Sequence, residues 1–162
     1  MAEQSITQQI KERLSDYTAM LRDIDNQIQR LERMEATMTS PKAQRLDGMP
    51  HSGSPIGDRM AEIIGRKQEL EDVIREKIAA ERREHALLAA MVDQMAKPDD
   101  RLVIQLRYFD RVNWQGVAEA LFGEMEDFTE KYDAYMRRTL RIHGSALVEL
   151  AKLNDNTLSP GA

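Results

Sequence analysis

The sequence contains no cysteine, few aromatic residues and no long apolar run. Without cysteine there is no disulfide framework, no thiolate zinc site and no cysteine nucleophile. Aromatic residues make up 5% of the 162 positions against 31% charged and 41% hydrophobic residues, which favours helices with narrow apolar seams over a β-sandwich. No apolar run reaches membrane-spanning length and the polar start lacks a signal-peptide pattern, so we expect a cytoplasmic protein with no membrane partner.

The chain also lacks the motifs of the common enzyme classes. It has no serine elbow and no glycine-rich phosphate cradle. His51, His85 and His143 have no partner at a convincing metal-ligand spacing, and Glu84-His85 lacks the Glu-x-x-His spacing of a di-metal site. We therefore expect a protein that is not an enzyme, with no catalytic residue, no cofactor and no metal. The net charge of −5 counts against non-specific coating of nucleic acid, but it leaves room for a local basic surface.

Two long helices are predicted in the first 96 residues. Between residues 6 and 38 the apolar positions are spaced alternately four and three apart, which is the pattern of a coiled coil: Ile10, Leu14, Tyr17, Leu21, Ile24, Ile28 and Leu31. Residues 39–57 hold three Pro and three Gly and form a loop, after which Asp58 caps a second helix running to about Ala96. Such helices fold back as an antiparallel hairpin or pair with a partner chain, and both hold at once in a homo-oligomer.

Three further helices are predicted after the break at Lys97-Pro98. The first runs from about residue 101 to residue 110. The second, Trp114–Phe122, has a one-sided apolar face, is capped by Asn113 and ends at Gly123 in a left-handed conformation. Residues 124–133 hold five acids and one lysine, and form either a solvated connection or an extra helical turn. The last helix runs from about residue 133 to residue 153.

These elements predict an all-α protein. A long helical hairpin, a coiled coil, occupies residues 1–96 with its loop at residues 39–57. A trihelical helix-turn-helix domain occupies residues 99–153, and a flexible tail follows at residues 154–162.

The last helix carries the candidate binding residues, because residues 134–148 hold three arginines and no acid. Helical spacing predicts one buried face: Met136, Leu140, His143, Leu147 and Leu150. The opposite face and its flanks carry the residues that we expect to bind duplex DNA through phosphates or base edges: Tyr135, Arg137, Arg138, Arg141 and Ser145. The alternative is that the arginines only solvate the helix and pair with the acids of residues 124–133. His143 is predicted to be a packed core histidine.

The motif Leu106-Arg-Tyr108, followed by Trp114-Gln-Gly-Val-Ala118, resembles region four of bacterial sigma factors. The segment Arg141-Ile-His-Gly-Ser-Ala-Leu147 and the loop Leu46-Asp-Gly-Met-Pro-His-Ser-Gly53 resemble small phage proteins that carry this domain behind an N-terminal coiled coil. Those proteins include late transcriptional regulators of the ArpU and RinA type. The resemblance implies a scaffold helix at Trp114, a reading helix from Tyr135 and a bacterial host cell. About ten extra residues between these two helices depart from the family pattern.

The leading hypothesis is a phage or prophage transcriptional regulator that binds duplex DNA through the last helix. Its N-terminal helices would serve homo-oligomer formation or contact with the host RNA polymerase. A second hypothesis is a non-enzymatic interaction or scaffold protein that binds RNA polymerase or another phage protein without DNA. A third is a DNA-recognition subunit similar to the small subunit of a terminase.

Overall fold

A computed structural model describes residues 2–39 and 55–159, and within these ranges every regular element is a helix. The helices are α1 (Ala2–Met38), α2 (Pro55–Asp93), α3 (Pro98–Ile104), α4 (Trp114–Phe122) and α5 (Tyr132–Leu158). A π-helical turn, Gln105–Phe109, continues α3. The all-α prediction is confirmed. Most of the predicted loop, from residue 40 to residue 54, lies outside the described residues, as do residues 160–162 of the predicted tail.

The chain divides into two compact units. The C-terminal unit comprises Met1–Ala19 and Arg83–Ala162, and the hairpin unit comprises Met20–Arg82. This division differs from the predicted boundary between residues 96 and 99. The beginning of α1 and the end of α2 belong with the three C-terminal helices.

Two ion pairs connect α1 and α2 within the hairpin unit. Lys77 Nζ lies 2.6 Å from Asp23 Oδ2, and Lys67 Nζ lies 3.6 Å from Glu35 Oε1. The pairs show that residue numbers on α2 decrease as those on α1 increase, so the two helices run antiparallel. The predicted antiparallel hairpin is confirmed. Among the residues of this unit that the structure describes, the buried apolar side chains are Ile24, Leu70 and Ile74.

The core of the C-terminal unit includes side chains from all five helices. The fully buried side chains include Ile10 and Leu14 of α1, Leu88 of α2, Val103 of α3, Val117 of α4 and Leu150 of α5. Burial of this apolar surface, at roughly 25 cal/mol per Å², is the main favourable term in folding of the unit. The first turns of α1 are thus part of the core that supports the C-terminal helices.

A polar network joins three helices in the same unit. Arg13 Nε donates to Glu84 Oε1 at 2.6 Å, and Arg13 Nη1 donates to Asn154 Oδ1 at 2.6 Å. Asn154 is buried, and α5 continues to Leu158. The tail predicted from residue 154 is therefore wrong for its first residues, because a buried amide bonded to a guanidinium holds the end of α5 in place.

Gly123 ends α4, but not in the predicted left-handed conformation. Its φ is −60°, and its N–H donates to the carbonyl of Glu119 at 2.7 Å. A Cβ at this position would clash with that carbonyl oxygen. Glycine is therefore required at this position by the close approach of the Glu119 carbonyl, and not by a positive φ. The positive φ in this region is at Arg111, at 56°.

Gly123→Ala is expected to lower the free energy of unfolding by about 1–3 kcal/mol, because the backbone at Glu119 must move to admit a Cβ. Gly65→Ala is the matched control: Gly65 lies inside α2 with nothing within 4 Å of a Cβ, so alanine there raises stability by about 0.5–1 kcal/mol. Urea unfolding of both variants measures the two effects. Equal stability of Gly123→Ala and the parent chain would contradict the close contact.

Candidate nucleic-acid interface

α4 supports α5 as the sequence predicts. The side chains of Val117 and Ala118 are fully buried and Phe122 is nearly so, while Glu119 and Ala120 are exposed. Asn113 Oδ1 accepts a hydrogen bond from the Gly116 N–H at 2.8 Å, which confirms the predicted cap. Both α3 and α4 contact α5, so the three helices form one packed group.

The buried face of α5 differs from the predicted one. Leu140 is 45% exposed, whereas Tyr135 and Thr139 are buried together with Ala146 and Leu150. The predicted burial of Leu140 is therefore wrong. The helix is rotated so that two polar side chains face inward, and this is possible because both have hydrogen-bond partners there.

Tyr135 and Thr139 satisfy their hydroxyls inside the unit. The Tyr135 hydroxyl donates to Asp127 Oδ1 at 2.6 Å, and Thr139 Oγ1 donates to the Tyr135 carbonyl at 2.9 Å. The bond to Asp127 is the main cause that raises the pKa of Tyr135, and the same bond lowers the pKa of Asp127. Tyr135 is only 9% exposed, so the structure places this predicted DNA contact in the core.

The four other predicted contacts lie on the exposed surface of α5. Arg137 and Arg141, one turn apart, project from the side opposite Tyr135 and Thr139. The guanidinium of Arg138 lies to one side, 5.1 Å from the ring centroid of Phe122. Ser145 is exposed one turn beyond Arg141.

The three arginines have no ion-pair partner among the described residues. Asp127 of the acidic segment instead pairs with Lys131 at 3.0 Å. Pairing of the arginines with these acids, the alternative left open by the sequence, is therefore not seen in the described ranges. Their guanidinium groups remain available to an external anion.

An open groove of about 580 Å³ brings Arg138, Arg141 and Ser145 together with the start of α3. Lys97, Asp99 and Asp100 line its other side. Asp100 is 4% exposed, and its Oδ2 has no hydrogen-bond partner within the described ranges. Burial raises the pKa of Asp100, against a smaller opposing effect of Lys97. The groove is thus lined by three cationic side chains and by the carboxyl group of Asp100, and burial disfavours the ionised form of that carboxyl group.

The acidic segment between α4 and α5 is an ordered connection. Its turns are closed by backbone hydrogen bonds from Met125 to Phe122, from Phe128 to Met125 and from Lys131 to Asp127. The Phe128 ring packs against Tyr132 and Tyr135 at centroid distances of 5.7 and 5.9 Å.

Sequence reasoning missed the structural role of Asp127 and Phe128. The sequence does contain an indication of this role, because Phe128 and Tyr132 stand in an otherwise acidic segment. Aromatic side chains are more often packed than solvated, so they indicate that the segment packs against the protein.

His143 is packed as predicted. Its Nε2 lies 2.8 Å from the Tyr108 hydroxyl, and its ring meets the Trp114 ring edge-on at 4.7 Å. The Arg107 guanidinium lies over the Trp114 ring, 4.8 Å from its centroid, and donates to the carbonyl of Val112. Burial lowers the pKa of His143 to about 4, with further lowering by Arg107 and Lys11.

His143 is expected to titrate near pH 4 in NMR spectra of its imidazole ring, well below the usual value near 6.5. The unfolded chain takes up this proton first, so the free energy of unfolding falls as the pH drops from about 6.5 toward about 4. Arg107→Gln removes one cation and raises the midpoint. A midpoint near 6.5 in the parent chain would contradict the packed environment.

No family model, no curated protein and no solved structure matches the chain. The resemblance to sigma-factor region four therefore rests on its motifs, of which the structure describes those in α3, α4 and α5. The similar loop, residues 46–53, lies outside the described residues. In residues 2–39 and 55–159, no three His, Asp or Glu side chains are grouped as metal ligands. None of the helices described is both long and apolar enough to cross a membrane.

Proposed function

We propose that this protein is a phage or prophage transcriptional regulator that binds duplex DNA with the exposed side of α5. One observation carries the proposal. Arg137 and Arg141 are exposed one turn apart, opposite the buried face, with no carboxylate paired to them in the described ranges. No chemical step is part of this function.

The exposed side of α5 suits a base-reading surface. An α-helix about 10–12 Å in diameter fits the B-DNA major groove, which is about 12 Å wide. Arginine bonds bidentately to a guanine edge or to a phosphate. Ala134, Gly144 and Ser145 are exposed beside the arginines, and their small side chains allow the helix to approach the bases closely.

Arg138 and Ser145 fit a different role in the same proposal. Because the Arg138 guanidinium is held over Phe122, it has less freedom than its neighbours and suits a fixed phosphate contact. The Ser145 hydroxyl suits a phosphate oxygen as well. Phosphate contacts position the helix, and Arg137 and Arg141 then read the bases.

The proposed partners besides DNA are a second copy of the chain and the host RNA polymerase. The hairpin unit supports self-association, because Ile64 and Val73 are exposed and no apolar side chain that the structure describes in this unit is fully buried. Two helices alone rarely bury enough apolar surface to be stable in water. A second pair of helices would cover these residues in a four-helix arrangement.

A second candidate function is protein binding without DNA. It is favoured by the net charge of −5 and by the acidic connection between α4 and α5, where Glu124, Glu126 and Glu130 are exposed. Such a surface repels phosphate and attracts a basic protein surface.

The test is duplex-DNA binding by fluorescence anisotropy over a salt series, with fragments from the neighbourhood of the gene. Arg137→Ala with Arg141→Ala is expected to weaken binding at least tenfold, since base contacts by arginine are each worth about 1–3 kcal/mol. The preference among DNA sequences should relax as well, whereas the slope of log affinity against log salt should change little, because Arg137 and Arg141 contact base edges rather than phosphates.

Arg59→Ala with Arg82→Ala is the matched control, because both arginines are exposed in the hairpin unit and the net charge change is the same. Equal losses in the two double variants would contradict the proposal. Absence of binding by the parent chain at low salt would overturn it and favour the protein-binding function.

A further inference from the structure

A second open groove lies between α1 and α5 in the C-terminal unit. Its volume is about 430 Å³, and it is lined by Gln4, Thr7, Gln8, Lys11 and Val148. The α1 residues come from the first three turns of that helix, which belong to the same compact unit as α5. The lining thus combines one ammonium group and two side-chain amides, and it contains no carboxylate.

The charge of the groove is set by Lys11. Lys11 is exposed and has no ion-pair partner among the residues that the structure describes. The nearest acid in sequence, Glu12, accepts a hydrogen bond from Gln8 Nε2 at 3.0 Å. Phosphate oxygens bind to surfaces of this kind, which offer an unpaired ammonium group beside amide donors.

The α5 side of the groove continues the arginine face. Val148 is 38% exposed, and Gly144 is exposed one turn before it on the same side of the helix. A Cβ at Gly144 would meet nothing within 4 Å, so internal packing does not require glycine there. Glycine inside a helix costs about 1 kcal/mol relative to alanine. Because glycine has no side chain, it leaves a depression in the helix surface between Arg141 and Val148.

The electrostatics of His143 agree with the position of Lys11 beside α5. Lys11 and Arg107 are the two cations that lower the pKa of His143, the residue before Gly144. Arg107 also lies over Trp114, whose ring meets His143 edge-on. Two cations from different elements therefore lie near the middle of α5, in addition to the arginines on α5 itself.

We propose that the groove between α1 and α5 holds one sugar-phosphate strand of the bound duplex, with the Lys11 ammonium as its main phosphate contact. The inference rests on the proposed function, in which Arg137 and Arg141 face the bases. A helix in the major groove is bordered by phosphate backbones, so an element packed along its flank meets a strand. Gln4 and Gln8 supply further donors. The start of the N-terminal helix is thereby part of the DNA-binding surface.

Lys11→Gln in the full chain tests this assignment, with the same anisotropy salt series. The slope of log affinity against log salt is expected to fall by about one, since one phosphate contact is lost. Binding weakens by a similar factor on every DNA sequence, because phosphate contacts carry no base information. Arg22→Gln is the matched control: it is exposed, on the same helix, three turns further along and outside the C-terminal unit. It should leave the slope unchanged.

Val148→Lys provides a gain-of-function test that a folding defect cannot imitate. It adds an ammonium group to the groove and should raise both the affinity and the salt slope by about one further phosphate contact. Val148→Gln is its neutral control and should leave the slope unchanged.

Two outcomes overturn the inference, and they are distinguishable from each other. If the parent chain binds DNA through Arg137 and Arg141 while Lys11→Gln and Val148→Lys keep its salt slope, the groove holds no strand and the proposed function stands. If the parent chain does not bind DNA at low salt, the proposed function and the inference fail together.

Discussion

The hydrogen bond from the Tyr135 hydroxyl to the Asp127 carboxylate allows a polar side chain to lie on the buried side of α5. With Tyr135 inward, Thr139 and Leu150 follow it into the core, and Arg137 and Arg141 project outward. The same bond ties the acidic connection to the first turn of α5. The connection between α4 and α5 is thus anchored to the helix it precedes, and its Asp127 carboxylate supplies the acceptor for the buried Tyr135 hydroxyl.

The helices themselves could be predicted from local sequence signals. Asn113 is a cap because its side chain reaches the Gly116 N–H, and the one-sided apolar face of α4 is a matter of spacing. The hairpin follows from the apolar seam of α1. These signals depend on residues close together in sequence, and tertiary context did not override them.

The rotation of α5 could not be predicted in this way. Counting apolar residues favours a buried Leu140, because the pattern treats Tyr135 and Thr139 as polar residues that prefer solvent. Each of these hydroxyls has a hydrogen-bond partner inside the unit, which changes that preference. Tyr135 donates to Asp127, eight residues earlier in the chain, and Thr139 donates to the carbonyl of Tyr135, four residues earlier. The proposed role of Lys11 was equally beyond the sequence, since only the fold brings the start of α1 beside α5. Gly123 shows the same limit, because its close contact with Glu119 is a property of the folded backbone.

The most direct test of the central claim is NMR of the isotope-labelled chain during titration with a short duplex. Chemical-shift changes are expected to concentrate at Arg137, Arg141 and Gly144, with little change in the hairpin unit. Changes confined to the acidic connection, or spectra unaffected by DNA at low salt, would contradict a DNA-reading role for α5.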